Sequence, residues 1–356
     1  MSVAAHPVVA VETSRRGEFS GLLWLTWRQH RWALLCAVGL TVVLTGWLAW
    51  LGHEMTVYLH QCHDRPCLPG TPQDAALSSE TGPFRVADHL LQFVEYEPLL
   101  IAVFLGVPLL AREHEQRTLL LAWSQDVSPQ RWLWTKTALL GGCTALCTAA
   151  ISLAADRVAR VMSDVSGGGL FDGDTFLDSG MLPLALGVAM FAVGVALGAV
   201  IRRVLPAAMA AVAGFVGLFV LVGYRYPYLM TPVSRFRAIG DGTSDPGPVG
   251  GPNALKVSGG ITLSPDRVGN LYDAAGRPLD AAGLRRMCPF TVPDDFAPDR
   301  LLPCMTRHHL MTRLVYQPAD RIGSFHAILA SGYAGLGVLA LAAVWLSVRR
   351  TSLTAG

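Results

Sequence analysis

From Met181 to Gly223 the chain runs for 43 residues with Arg202 and Arg203 as its only charged side chains. As one helix this stretch would be about 65 Å long, twice the roughly 30 Å needed to cross a bilayer's hydrocarbon core. An Arg at the bilayer centre costs roughly 2.5–3.5 kcal/mol on insertion scales. The Arg pair therefore predicts a break, and Pro206 just after it suits a new helix start. Two spans follow, about 181–201 and 205–223, joined by a tight basic turn. The same length criterion finds Trp32–Leu51, about 90–111, about 134–155 and about 324–348. The expected fold is an all-α polytopic membrane protein with six transmembrane helices. Composition agrees: 52% of the 356 residues are hydrophobic and 15% charged, against roughly 25% charged in soluble domains. The first apolar run exceeds the roughly 7–15 residues of a signal-peptide core and no A-x-A-like site follows it, so it is expected to be a retained span.

Basic residues orient the spans. With the N-terminus inside, the inner segments hold Arg15, Arg16, Arg28 and Arg31, then Arg112, Arg117, Arg131 and Lys136, then Arg202 and Arg203, then Arg349 and Arg350. The short outer loops hold only Arg65, Arg85, Arg157 and Arg160 among more numerous acids. This asymmetry predicts cytoplasmic termini in a multi-pass plasma-membrane protein. Trp24, Trp27, Trp32 and Trp345 fall at the inner interface, and Trp47 and Trp50 at the outer one, as belt residues do. The net charge of +2 does not suggest nucleic acid.

The expected organisation is an N-terminal tail (1–17), an amphipathic interfacial helix (18–31), five spans within 32–223, an extracytoplasmic loop domain (224–322), the sixth helix (323–348) and a cytoplasmic tail (349–356). In EFSGLLWLTWRQHRW, Phe19, Leu22, Leu23 and Trp27 recur at helical spacing opposite Glu18, Arg28 and Arg31, which suits a helix lying in the interface. The loop 112–134 between spans two and three begins with a charged knot, AREHEQR, followed by the apolar Leu119–Leu121 and Trp123. It restarts as a helix at Ser128–Pro129. A short helix of this kind on the inner side suits docking of a soluble partner.

Several chemistries are excluded. A P-loop needs Gly-x-x-x-x-Gly-Lys-Ser/Thr, and neither lysine, Lys136 nor Lys256, has the glycines. His53–Glu54 would need a His at position 57 for a zincin motif, and Val57 stands there. Ser331 with His326 is the best candidate for an intramembrane nucleophile and base, but Leu329 replaces the Gly of a G-x-S-G element. No catalytic residue is expected. Cys62, Cys67, Cys288 and Cys304 fall in the outer loops, where an even number suggests disulfides; the nearest pairing is 62–67 and 288–304, though four Cys allow three connectivities. The rival reading is a Zn²⁺ site in HEMTVYLHQCHDRPC. Glu95 and Glu97 fall in the outer part of span two. Intramembrane acids suggest contact with a cationic substrate, or, near an outer helix N-terminus, stabilisation by the macrodipole.

The run G-x-P-L-L-A-R-E-x-E-x-x-T-L-x-L-A from Gly106, followed by Gln125, Ser128 and Lys136, resembles the cytoplasmic coupling region of ABC-2-type (type V) exporter permeases. The likeness is to their actinobacterial branch, which LVYQPADRIGSFHAI (314–328) also resembles. Arg117 and Leu120 depart from the broad family, which usually has Gly and an acid there. The resemblance implies alternating access by two permease subunits, as a homodimer or heterodimer. A separate P-loop ATPase chain would hold ATP and Mg. Arg112, Glu113, Glu115, Thr118 and Leu119 would couple to it, and this chain would carry no cofactor. Spans with few buried charges lean toward amphipathic or lipid-like cargo. A non-transporting membrane sensor or assembly subunit using the outer loop as receptor is the alternative.

Overall fold

With no proline between Arg15 and Gln61, nothing interrupts the i→i+4 ladder, and helix α1 (Arg15–Gln61) runs for 47 residues. In the computed structural model, residues 15–61, 82–116, 129–166, 170–171, 173–239, 254–258, 261–263, 268–289 and 298–354 are described. Segment 18–31 and the first span are thus one continuous helix rather than an interfacial helix that turns into a span. Trp24 and Trp47 lie 23 residues apart on it, as do Trp27 and Trp50, about 35 Å of helix rise. All four are exposed.

The second span is composite: α2 (Pro83–Ile101), a π-helical turn (Ala102–Gly106) and α3 (Val107–Glu115). There follow α4 (Pro129–Ser166), the short α5 (Gly173–Asp178), α6 (Leu182–Ile201), α7 (Val204–Arg225) and, at the end of the chain, α10 (Ile322–Thr354). Among the described residues, six helices are long and apolar enough to cross a membrane: Thr26–Val57, Pro83–Glu115, Gln130–Ser163, Leu182–Ile201, Val204–Tyr228 and Ala319–Arg350. The second starts at Pro83, seven residues before the expected Leu90. The expected break at Arg202–Arg203 is a two-residue turn, with Arg202 in the left-handed region at φ 61° and its N–H donating to the Gly198 carbonyl at 3.1 Å.

Helix α6 is the central stave, packed on α2, α4, α7 and α10. It approaches the second span backbone to backbone. A Cβ at Gly106 would fall 2.7 Å from the Phe191 carbonyl oxygen, and one at Gly198 would fall 2.5 Å from that of Val107. Gly194 faces the Ala102 carbonyl in the same way. Small residues let membrane helices meet this closely, where packing and Cα–H···O contacts replace the missing hydrophobic drive. The outer faces are apolar and exposed, as at Leu146, Leu153, Leu205 and Leu339.

At the end of the bundle away from the Arg202–Arg203 turn, polar bonds join α4, α5 and α10. Ser152 donates to the Gly180 carbonyl at 2.9 Å, the Gly180 N–H donates to Asp156 at 2.8 Å, and Ser179 Oγ lies 3.2 Å from His326 Nε2. Ser331 instead donates to the Ala327 carbonyl of its own helix, so Ser331 and His326 form no dyad.

Between α7 and α10 the chain adds a small α/β subdomain. Its strands are β1 (Val233–Ala238), β2 (Leu255–Ser258), β3 (Thr262–Leu263), β4 (Val268–Gly269), β5 (Leu271–Tyr272) and β6 (Met311–Gln317). β6 pairs antiparallel with β1, β2 and β5, with Val233 opposite Tyr316. Helices α8 (Ala281–Met287) and α9 (Pro298–Arg307) close a core of Ile239, Leu271, Leu284, Leu301, Met305 and Leu310. The Cys288–Cys304 disulfide joins them. The other two disulfide candidates, Cys62 and Cys67, lie outside the described residues. Gln317, fully buried, ties the sheet to the bundle by donating to the carbonyls of Pro227 and Met230 at 3.0 and 2.6 Å.

The glycine contact makes a graded prediction. Gly194→Val forces a side chain into the second span's backbone and destabilises the protein by about 1–3 kcal/mol. Gly214→Val, where a Cβ meets nothing within 4 Å, leaves stability nearly unchanged. Thermal unfolding in detergent, followed by size-exclusion elution, reads both.

Candidate functional site

The charged knot at 112–116 splits when it is folded. On a helix, residues two apart point about 200° from each other. Glu113 and Glu115 therefore face different neighbours rather than forming one charged face. Glu113 is buried. It accepts from the Lys136 ammonium on α4, and Lys136 also donates to Gln29 Oε1 on α1 at 2.9 Å. Gln29 Nε2 in turn reaches Glu113 Oε1 at 3.5 Å. The Trp132 ring, one turn before Lys136, stands 4.2 Å from the ammonium and adds a cation–π contact. Side-chain exposures of 4% for Lys136 and 8% for Glu113 put this pair where desolvation is costly. It is tolerable only because each charge meets the other and further polar groups.

Glu115 is exposed, and its Oε1 accepts the Val204 N–H at 2.9 Å. That N–H is one of the orphan donors of the first turn of α7, and a carboxylate there also meets the favourable end of the helix dipole. Two consecutive acids of one motif thus tie the end of the second span to α1, α4 and the α6–α7 turn. Arg112, just before them, is exposed. Thr118 and Leu119, with Leu120, Leu121 and Trp123, lie outside the described residues.

The same end collects most of the basic side chains near the bundle. Arg28 sits over Trp24, Arg31 over Trp32 and Arg349 over Trp345, with centroid distances of 5.4, 5.5 and 5.1 Å. Arg112, Arg131, Arg202 and Arg203 join them there. Lys136 was not singled out from the sequence as a partner for Glu113. Its signal was present: it is one of two lysines in the chain, at the start of the span after the acid.

Glu95 and Glu97 also separate. Glu97 is the fifteenth residue of α2, about 21 Å from its start. The macrodipole, which fades within a turn, does not reach it, so the expected position near the outer helix N-terminus does not hold. Glu97 is buried and lines a groove of ≈ 460 Å³ between α1, the second span and α4. Glu95 turns to the other side and lines a cavity of ≈ 30 Å³ with Tyr333 and Phe219, room for about one water. In the subdomain, His308 lies near Cys288 and Cys304, with ligand atoms within 4.8 Å. Both sulfurs are engaged in the disulfide, whereas a metal would need them as thiolates.

The buried pair predicts a non-additive mutant cycle. Glu113→Ala strands the Lys136 ammonium and destabilises by about 3–5 kcal/mol, while adding Lys136→Met recovers most of that loss. Unfolding midpoints of the two single variants and the double variant check this. Additive losses would mean the residues do not act as a pair.

No curated protein and no solved structure matches the chain. Residues 228–322, the subdomain and its connections, match a family described only as a domain of unknown function. Residues 38–225, from the first span to the end of α7, match the family described as ABC-2 membrane transporter related. With that match covering more than half of a chain built from six apolar helices, this multi-pass membrane protein belongs to the ABC-2 membrane transporter related family.

Proposed function

We propose that this chain is the permease subunit of an ATP-binding cassette exporter of the ABC-2, type V kind. It moves a substrate outward by alternating access. ATP and Mg are bound and used by a separate P-loop ATPase chain, and a second permease subunit, identical or related, completes the pathway. The observation that carries this reading is the double tie of Glu113 to Lys136 and Gln29 and of Glu115 to Val204. It sits at the base of segment 117–128, so a push on that segment is delivered to α1, α4 and α7 together.

In this reading Arg112, Glu115, Thr118 and Leu119 meet the ATPase. Glu113 is a positioning residue that holds their platform from behind. The basic end lies in the cytoplasm with both chain termini, and the subdomain and its disulfide lie on the oxidising side. Coupling requires the ATPase to bind two permease states with different affinity. Assignment to a transporter-related family favours transport over a sensor or assembly role.

A soluble ATPase chain is expected to copurify stoichiometrically with the permease in mild detergent, and the permease alone should show no ATP turnover. Leu119→Asp combined with Glu115→Arg should weaken that association about tenfold or more and abolish transport-linked ATP hydrolysis. Export and linked hydrolysis that survive the double substitution would contradict the docking role.

A further inference from the structure

Glu97 is a buried acid in the middle of the second span. Its Oε2 is fully buried and, among the described residues, finds no hydrogen-bond partner; the same holds for Thr144 Oγ1 on α4. Both residues line the ≈ 460 Å³ groove between α1, the second span and α4. Small side chains create the volume: Ala37 on α1 and Cys143 and Cys147 on α4 stand where larger residues would fill it. Elsewhere its wall is apolar apart from Thr41, whose hydroxyl donates to the Ala37 carbonyl of its own helix, with Phe104 of the π-helical turn on one side. π-Helical turns inside α-helices recur at functional sites, and ligand pockets run to roughly 300–1,000 Å³ with an apolar lining and few polar groups.

We infer that this groove binds an amphipathic cation, a primary ammonium head on an aliphatic tail, with the ammonium on the Glu97 carboxylate and the tail along α1. A lone carboxylate at this depth is costly, and only a cation relieves that cost while keeping the charge. The hydroxyl of Thr144 accepts a further ammonium N–H, since an ammonium has three donors and no acceptor. An anionic amphiphile would meet Glu97 as a like charge. A neutral alcohol would gain the apolar wall and forgo the ion pair. The inference rests on the exporter reading for its role as substrate site, but the binding itself needs only this chain.

The test uses the full-length permease in nanodiscs of zwitterionic lipid, without ATPase. Radiolabelled dodecylamine, dodecanol and dodecanoic acid are measured by scintillation proximity against empty nanodiscs. Dodecylamine should bind saturably and more tightly than dodecanol, and dodecanoic acid should not bind saturably. Glu97→Gln should weaken dodecylamine by about 30-fold or more and leave dodecanol unchanged, with an unaltered elution profile showing that the variant is folded. Cys147→Phe, which fills the groove, should reduce both. Glu97→Gln binding dodecylamine as the wild type does, or dodecanol binding as tightly as dodecylamine, would overturn the assignment. If binding fails while a copurifying ATPase is found, the groove is wrong and the exporter reading stands; binding without any ATPase partner leaves the groove and removes the exporter.

Discussion

An ammonium buried among three helices at a membrane boundary must be met by an anion, and this requirement organises the bundle. Lys136 is held by Glu113 and Gln29 and covered by Trp132. Gln29, Glu113 and Lys136 come from α1, the second span and α4 in turn, so the three-way cluster comes apart if any one of these helices rotates by much. Non-specific apolar packing in lipid would tolerate such rotation, since a leucine facing lipid and a leucine facing a helix differ little in energy. The charged cluster therefore contributes geometry more than stability, consistent with buried ion pairs generally returning little net free energy.

From this joint the other contacts follow along the second span. Two residues on, Glu115 caps α7 through Val204. About two turns back from the joint, Gly106 and the π-helical turn meet the Gly194–Gly198 face of α6 at backbone distance. The second span is thus clamped by polar bonds at its basic end and by glycine contacts higher up, and Glu97 opens onto the groove just above the clamp. Movement delivered at residues 112–116 has a short, mechanically continuous path to that groove, through one helix with a wide turn in it.

Much of this architecture was legible in the sequence, and the illegible parts share a cause. The apolar run 181–223 with its Arg pair dictated two spans, because burying two guanidinium groups in lipid outweighs the loss of a few helical bonds. The basic asymmetry and the Trp spacing were readable for the same local reason. The continuity of α1 departs from the reading of 18–31 as a separate interfacial helix: their amphipathic pattern suggested one, although no proline separates them from the first span. What could not be read is what depends on a distant partner. Glu113 reads as solvated until Lys136 and Gln29, 23 and 84 residues away, fold onto it. Glu95 and Glu97 read as a pair until helical geometry sends them to different cavities. Strands β2 to β5 are only two to four residues long, too short for a clear alternating pattern; β6 gathers β1, β2 and β5 into one sheet, while β3 and β4 pair with each other. The Cys288–Cys304 pairing was legible as the nearest one, and the α8–α9 contact selects it from the three connectivities.

For an exporter permease, the basic end with its Glu113–Lys136 joint must face the compartment that contains the ATPase, and the disulfide-bearing subdomain must face away from it. Single cysteines test this directly. Arg202→Cys in the α6–α7 turn and Arg277→Cys in the subdomain would be introduced separately, with Cys36, Cys62, Cys67, Cys143 and Cys147 replaced by serine. A membrane-impermeant maleimide applied to intact cells should label Arg277→Cys at once and Arg202→Cys only after permeabilisation. Labelling of both from the same side, or in the reverse order, would contradict the account.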